Sequence, residues 1–286
     1  MSNPVLIATD FSAAAESVYP YAIKLAQRLK LPALLVNVDE ASYWGIDASS
    51  QREHFKSHQQ SSLQRAIALF EEAGVHCDAV ICEGAASVRI LETAHRVSAE
   101  LVIMARQGLR RLERFFLGAT TLRVLRNADL PILVISDNAA ANPPEFESLA
   151  MATDFSADSI VAGRTTYALA KRLRMPMRLV HVRKIPVLAL NDEESFADLG
   201  PEQVKGDARS QLNQQQAALG SDVSCQLLSG FDVAQTLNEL EASIIAVGAS
   251  GTGLLQRSLL GSNAENLVRI ATRPVLVVRS GVAYLR

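Results

Sequence analysis

The chain has 286 residues, 49% apolar and 20% charged, with a formal net charge of −2; this length suits one large domain or two of ordinary size. So neutral a balance gives no support to nucleic-acid binding as the main task. The apolar runs ALLVNV, ELVIMA and SIIAVG are too short to cross a bilayer, so no membrane span is expected, and the start MSNPVLIATDFS lacks the basic region of a secretory leader.

In chain order, PVLIAT reads as a strand and Ala13 to Leu29 as a helix with apolar positions at helical spacing. ALLVNV is a second strand, Ser61 to Ala73 a helix, HCDAVICEG a third strand and Ala86 to Ser98 a helix. LVIMA is a fourth strand, followed by a helix from about Thr120 and the strand PILVIS. The pattern then repeats. ATDFSAAAESVYPYAIKLAQRLKLPALLVNV, from Ala8, aligns without a gap with ATDFSADSIVAGRTTYALAKRLRMPMRLVHV, from Ala152, and ADLPILVIS matches ATRPVLVVR. A period of half the chain is too long for a solenoid and reads as a duplicated domain. The junction DNAAANPPEFES suits a linker, so the expected domains are 1–138 and 147–286. Short continuous apolar strands alternating with helices predict an α/β fold in each, a parallel sheet covered by helices on both faces.

In such a sheet a ligand sits beyond the carboxyl ends of the strands, where strand order reverses. Asp-Phe-Ser follows strand one of each half. After strand four of the second half comes GASGTGLLQRSLLGS, a Gly-x2-Gly-x9-Gly-Ser pattern formed by Gly248, Gly251, Gly261 and Ser262. Gly248 and Gly251 are expected to permit positive φ and close backbone approach to a phosphate. Ser262-x-x-Glu265 has the form of a capping box that would fix a helix start, and a helix start attracts anions. This is neither a Walker A loop nor GxGxxG. The glycines also satisfy ordinary turn and packing needs, and spacing alone leaves both readings open.

These residues resemble the universal stress protein family, whose motif is Gly-x2-Gly-x9-Gly-Ser/Thr after strand four with an aspartate after strand one. ATDFS and RPVLVV are also similar to that family, and the resemblance covers essentially the whole chain as a tandem pair. It implies a five-stranded sheet in the order 3-2-1-4-5 and, for many members, ATP as the bound cofactor. It further implies adenine recognition by Asp154 and Val182, with Gly248, Gly251, Gly261, Ser262 and the adjacent Asn263 around the phosphates and ribose. The first half departs from the motif. Ala105 replaces the first glycine and Ala119 the serine, Leu122 stands in place of Glu265, and Gly108, Gly118, Asp10 and Val38 remain. ATP is therefore expected in the second domain only.

Other features carry two readings each. Arg106, Arg110, Arg111, Arg114, Arg123 and Arg126 form either a solvated face or a patch for an anionic partner. His54 and His58, four apart, suit a surface helix or, with a third ligand, a metal. His181 reads as a packing or hydrogen-bonding residue, and Cys77 and Cys82 as small core residues. The three cysteines, Cys225 included, form no CxxC pair and point to a reducing, cytoplasmic setting. The segments after strand two of each half, with Trp44 in the first and IPVLAL in the second, suit lids or contacts with the other domain or a second chain. No residue set supplies a nucleophile with an oriented base. The expected function is a nucleotide-responsive stress regulator that binds ATP with little or no turnover. The alternatives are a slow ATP hydrolase and a binding module for a lipid or metal. Single-domain relatives pair as dimers; a tandem chain satisfies that pairing internally or forms a homodimer.

Overall fold

A computed structural model describes residues 3–40, 49–108, 117–136, 146–185, 201–250 and 260–279, with backbone alone for 49–56, 58 and 201–205. Trp44, Gly251, Arg110, Arg111, Arg114, the 137–145 junction, 186–190 and the side chains of His54 and His58 lie outside the described residues. The chain divides into two units, Met1–Pro143 and Pro144–Arg286.

Unit one runs β1 (Val5–Ala8), α1 (Ala13–Glu16), α2 (Tyr19–Leu29), β2 (Ala33–Asp39), α3 (Ser49–Glu72), β3 (Cys77–Glu83), α4 (Ala86–Arg96), β4 (Leu101–Ala105), α5 (Ala119–Asn127) and β5 (Ile132–Ile135). β1 pairs in parallel with β2 and β4, β2 with β3, and β4 with β5, giving the order β3-β2-β1-β4-β5. Unit two runs β6 (Leu149–Ala152), α6 (Ala157–Leu173), β7 (Met177–Lys184), α7 (Pro201–Leu219), β8 (Ser224–Gly230), α8 (Val233–Asn238), β9 (Ile244–Gly248), α9 (Ser262–Ile270) and β10 (Val275–Val278). Its pairings are equivalent: β8-β7-β6-β9-β10, all parallel. Successive strand residues point to opposite faces. All of β1, β4, β5 and β10 are buried, so both sheet faces are covered.

The helix expected over Ala13 to Leu29 is two helices. Pro20 stands in the first turn of α2. It has no N–H to offer the Glu16 carbonyl, and its ring would clash with that group, so the helix restarts at Tyr19. Unit two has Arg164 at the matching place, and α6 runs unbroken for 17 residues. α2 and α6 end alike, on residues in the left-handed region, Lys30 (φ 56°) and Arg174 (φ 53°).

The restart places Tyr19 in the core of unit one. Its hydroxyl lies 2.7 Å from Thr9 Oγ1, and its ring meets Phe70 edge-on at 5.8 Å. Burial pushes the Tyr19 and Tyr21 phenols up to about 12 from an ordinary value of 10.0, and the Cys77 thiol up to about 12 from 9.0. The fold thus prefers these groups neutral. Their contribution to stability is intact below the ordinary values and is lost as pH rises toward about 12.

Two outcomes are expected. In denaturant titrations across alkaline pH, stability should fall above the ordinary tyrosine range, and Tyr21→Phe should flatten that fall; an unchanged slope would assign it to other groups. We further propose that the two units are independent domains. Proteolytic cutting between residues 138 and 144 should then leave two fragments that each unfold cooperatively in calorimetry, whereas a molten fragment would show that one unit needs the other.

Candidate functional site

The turn after the first strand is built by its own side chains. In unit two the Phe155 amide donates to Thr153 Oγ1 at 3.1 Å. The Ser156 amide and hydroxyl both donate to Asp154 Oδ1, at 3.1 and 2.6 Å. Ser156 caps α6, accepting from the Ser159 amide at 3.2 Å. These bonds hold Phe155 in the left-handed region at φ 63°, which a non-glycine residue adopts at a cost of about 1 kcal/mol or more. Unit one repeats the device: the Phe11 amide donates to Thr9 Oγ1, the Ser12 amide to Asp10 Oδ1, the Ala15 amide to Ser12 Oγ, and φ of Phe11 is 56°. The identical Thr-Asp-Phe-Ser of the two copies is thus accounted for by local geometry.

Beyond the carboxyl ends of β6, β7 and β9 lies a cavity of about 610 Å³. Asp154, Val182, Gly248, Gly261, Ser262 and Asn263, expected together from sequence, all border it. Gly251 lies outside the described residues. Ser250, Ser159, Val233 and Leu237 also border the cavity. The sequence offered no signal for Val233 and Leu237, which lie on the short α8 and are apolar like any core residue.

Two expectations about the glycine segment need correction. Gly248 does not adopt positive φ; the space around it is what favours a small residue. A Cβ there would stand 3.2 Å from the Ser250 carbonyl oxygen, closer than side chains ordinarily pack. Ser262 and Glu265 do not form a capping box. The helix begins one residue earlier, with Gly261 as N-cap (φ −62°, ψ 141°) and no side-chain cap. Glu265 instead accepts from Arg269 at 2.6 Å, one helical turn on. The first intrahelical bond runs from the Glu265 amide to the Gly261 carbonyl, so the amides of Ser262, Asn263 and Ala264 precede it. All three residues border the cavity.

α5 starts in the same way in unit one, on Gly118 at φ −57° and ψ 141° without a side-chain cap. The units therefore do not differ in helix capping, contrary to expectation. They differ in what lines the crevice. Ala105 and Ala119 replace Gly248 and Ser262. Arg106, 5% exposed, and Gln107, 4% exposed, take the places of Ala249 and Ser250. The Asp10 carboxylate lies against Gly108 where a Cβ would stand. Arg106 thus departs from the solvated face, while Arg123 and Arg126 are exposed.

His181 borders the cavity beside Asp154 and Val182. Its Nδ1 lies 2.8 Å from the Thr153 carbonyl oxygen, and its ring stacks on Phe155 with centroids 4.3 Å apart. Asn37 does the first job in unit one, its Nδ2 donating to the Thr9 carbonyl at 2.8 Å. Among the described residues no cluster of three or more His, Cys, Asp or Glu is placed to hold a metal, and no helix is long and apolar enough to cross a membrane.

The helix starts lead to a paired expectation. Ser156→Ala removes a cap and should lower the stability of unit two by about 1 kcal/mol. Ser262→Ala removes none and should stay within about 0.5 kcal/mol of the parent. Urea unfolding of the two variants provides the comparison; a larger loss at Ser262 would reinstate the capping box.

Comparison with known proteins agrees with this architecture. The model of the universal stress protein family matches residues 1–136 and again 145–279. A universal stress protein of Mycolicibacterium smegmatis is 25% identical over 294 aligned positions, spanning 96% of each chain. One from Methanocaldococcus jannaschii is 29% identical over 136 residues, 46% of this chain and 80% of the relative. The crystal structure of a universal stress protein from Archaeoglobus fulgidus superimposes with a TM-score of 0.69 at 20% identity, covering 98% of this chain and all of that one. With two successive matches that together span nearly its whole length, the chain belongs to the universal stress protein family.

Proposed function

We propose that this chain is a nucleotide-responsive stress regulator that binds one ATP in unit two and turns it over little or not at all. The observation that carries this reading is the convergence on one cavity of Asp154 and Val182 at one end and Gly248, Gly261, Ser262 and Asn263 at the other. The α9 end suits phosphate. It offers successive amides before the first intrahelical bond, and the helix dipole adds positive potential there. Glycine at 261 keeps a side chain out of the approach. The Asp154 end, with Val182, Val233 and Leu237, offers apolar surface and a carboxylate, which suits a base. The volume is ample for a nucleotide.

The cavity's carboxylates have structural work that supports retention over turnover. Asp154 holds Ser156 and Glu265 holds Arg269. In unit one, Ala105, Ala119 and the Asp10 carboxylate against Gly108 support a crevice that does not take the nucleotide. Free thiols at Cys77, Cys82 and Cys225 support a reducing, cytoplasmic setting.

Calorimetric titration of nucleotide-stripped protein with ATP tests the reading, and one site per chain is expected. Gly261→Val should abolish binding while the melting profile persists, and Gly118→Val should leave binding unchanged. Asp154→Ala should weaken it by about 1–3 kcal/mol, and Asp10→Ala should change it little. Two equivalent sites, or one that survives Gly261→Val, would overturn the assignment.

A further inference from the structure

His181 is the side chain at this cavity whose hydrogen-bonding state is fixed by its surroundings. A backbone carbonyl oxygen only accepts, so the 2.8 Å contact with Thr153 requires the proton on Nδ1. In the neutral ring, Nε2 is then a bare acceptor. The stack on Phe155, 4.3 Å between centroids at 27°, holds the ring plane, and Phe155 is itself held at φ 63° by the Thr153 and Ser156 bonds. Flipping the ring would forfeit the Thr153 bond. Among the described residues none bonds to Nε2, and His181 is one of the residues that border the cavity, together with Val182 and Asp154. The neutral side chain therefore carries a preset acceptor at the cavity wall. Unit one has Asn37 at this position, which keeps the backbone bond but accepts from Gln59 at 3.0 Å through its remaining oxygen.

We propose that His181 reads the base: its Nε2 accepts a hydrogen bond from an exocyclic amino group of the bound nucleotide, selecting a 6-amino purine over a 6-oxo purine. This rests on the nucleotide reading above. A 6-oxo base would turn a second acceptor toward Nε2, leaving both lone pairs unmatched in a partly dry site, which is how a hydrogen-bonding pocket rejects a near-isostere.

The test compares ATP with inosine triphosphate, which differs from it at that edge while carrying the same phosphates and ribose. Both are titrated calorimetrically into nucleotide-stripped wild type and His181→Asn. Asn places its amide nitrogen where Nδ1 stands, keeping the Thr153 bond and removing the Nε2 acceptor. The expected result is a preference for ATP of about tenfold or more in wild type and a ratio near one in His181→Asn. A merely structural role would lower both affinities together and leave the ratio unchanged, which would overturn the proposal. Equal binding of the two nucleotides by wild type would overturn it too, while the nucleotide reading stands. Binding of neither would overturn both.

Discussion

The crevice of each unit depends on one manoeuvre: the chain must leave the central strand and enter a helix within four residues, without stranding a buried amide. A threonine hydroxyl, an aspartate carboxylate and a serine hydroxyl supply the acceptors that the missing regular structure cannot, and a phenylalanine accepts an unfavourable φ between them. The central strand can therefore stop short of its neighbours and open a space between them. The position of β9 and the start of α9 then decide what that space is lined with. In this sense the aspartate serves the fold before it serves any ligand. Its presence in unit one, beside a crevice with altered lining, fits that order of priorities.

The same backbone frame carries two polar cores. In unit one Tyr19 reaches Thr9, and Asn37 is held by Gln59. In unit two Gly163 stands in place of Tyr19, and the room is taken by Gln215, whose Oε1 accepts from Thr153 Oγ1 at 2.9 Å. Ser159 Oγ lies 3.0 Å from the same hydroxyl. The exchange of an aromatic for a glycine and an amide leaves the strand pairing unchanged. It alters which groups stand beside the cavity, and it accompanies the change from Asn37 to His181. The two copies are thus one scaffold with separately tuned interiors.

Much of the scaffold was legible in the sequence, because buried parallel strands leave short apolar runs bounded by turn residues. The duplication was legible in the gapless match of the two halves, and the grouping of Asp154 and Val182 with Gly248, Gly261, Ser262 and Asn263 at one crevice in the motifs and the family resemblance they carry. What escaped was short-range and competitive. Pro20 sits within an apolar periodicity that runs on past it, so the pattern hides the break that the missing N–H enforces. The Ser262–Glu265 spacing fits a capping box, but Gly261 reaches the N-cap conformation first and Arg269 claims the glutamate. The left-handed Phe11 and Phe155 have no signature of their own, since phenylalanine is among the last residues one would assign to that region. The burial of Arg106 reflects packing that a charge pattern does not encode.

The proline break also has a mechanical side. In unit two the cavity turn is welded to α6, a rod of 17 residues and so about 25 Å long, packed along its length on the sheet. In unit one the corresponding turn leads into a helix of four residues before the interruption at Pro20. The two crevices therefore differ in the length of the unbroken helix that leaves them as well as in lining.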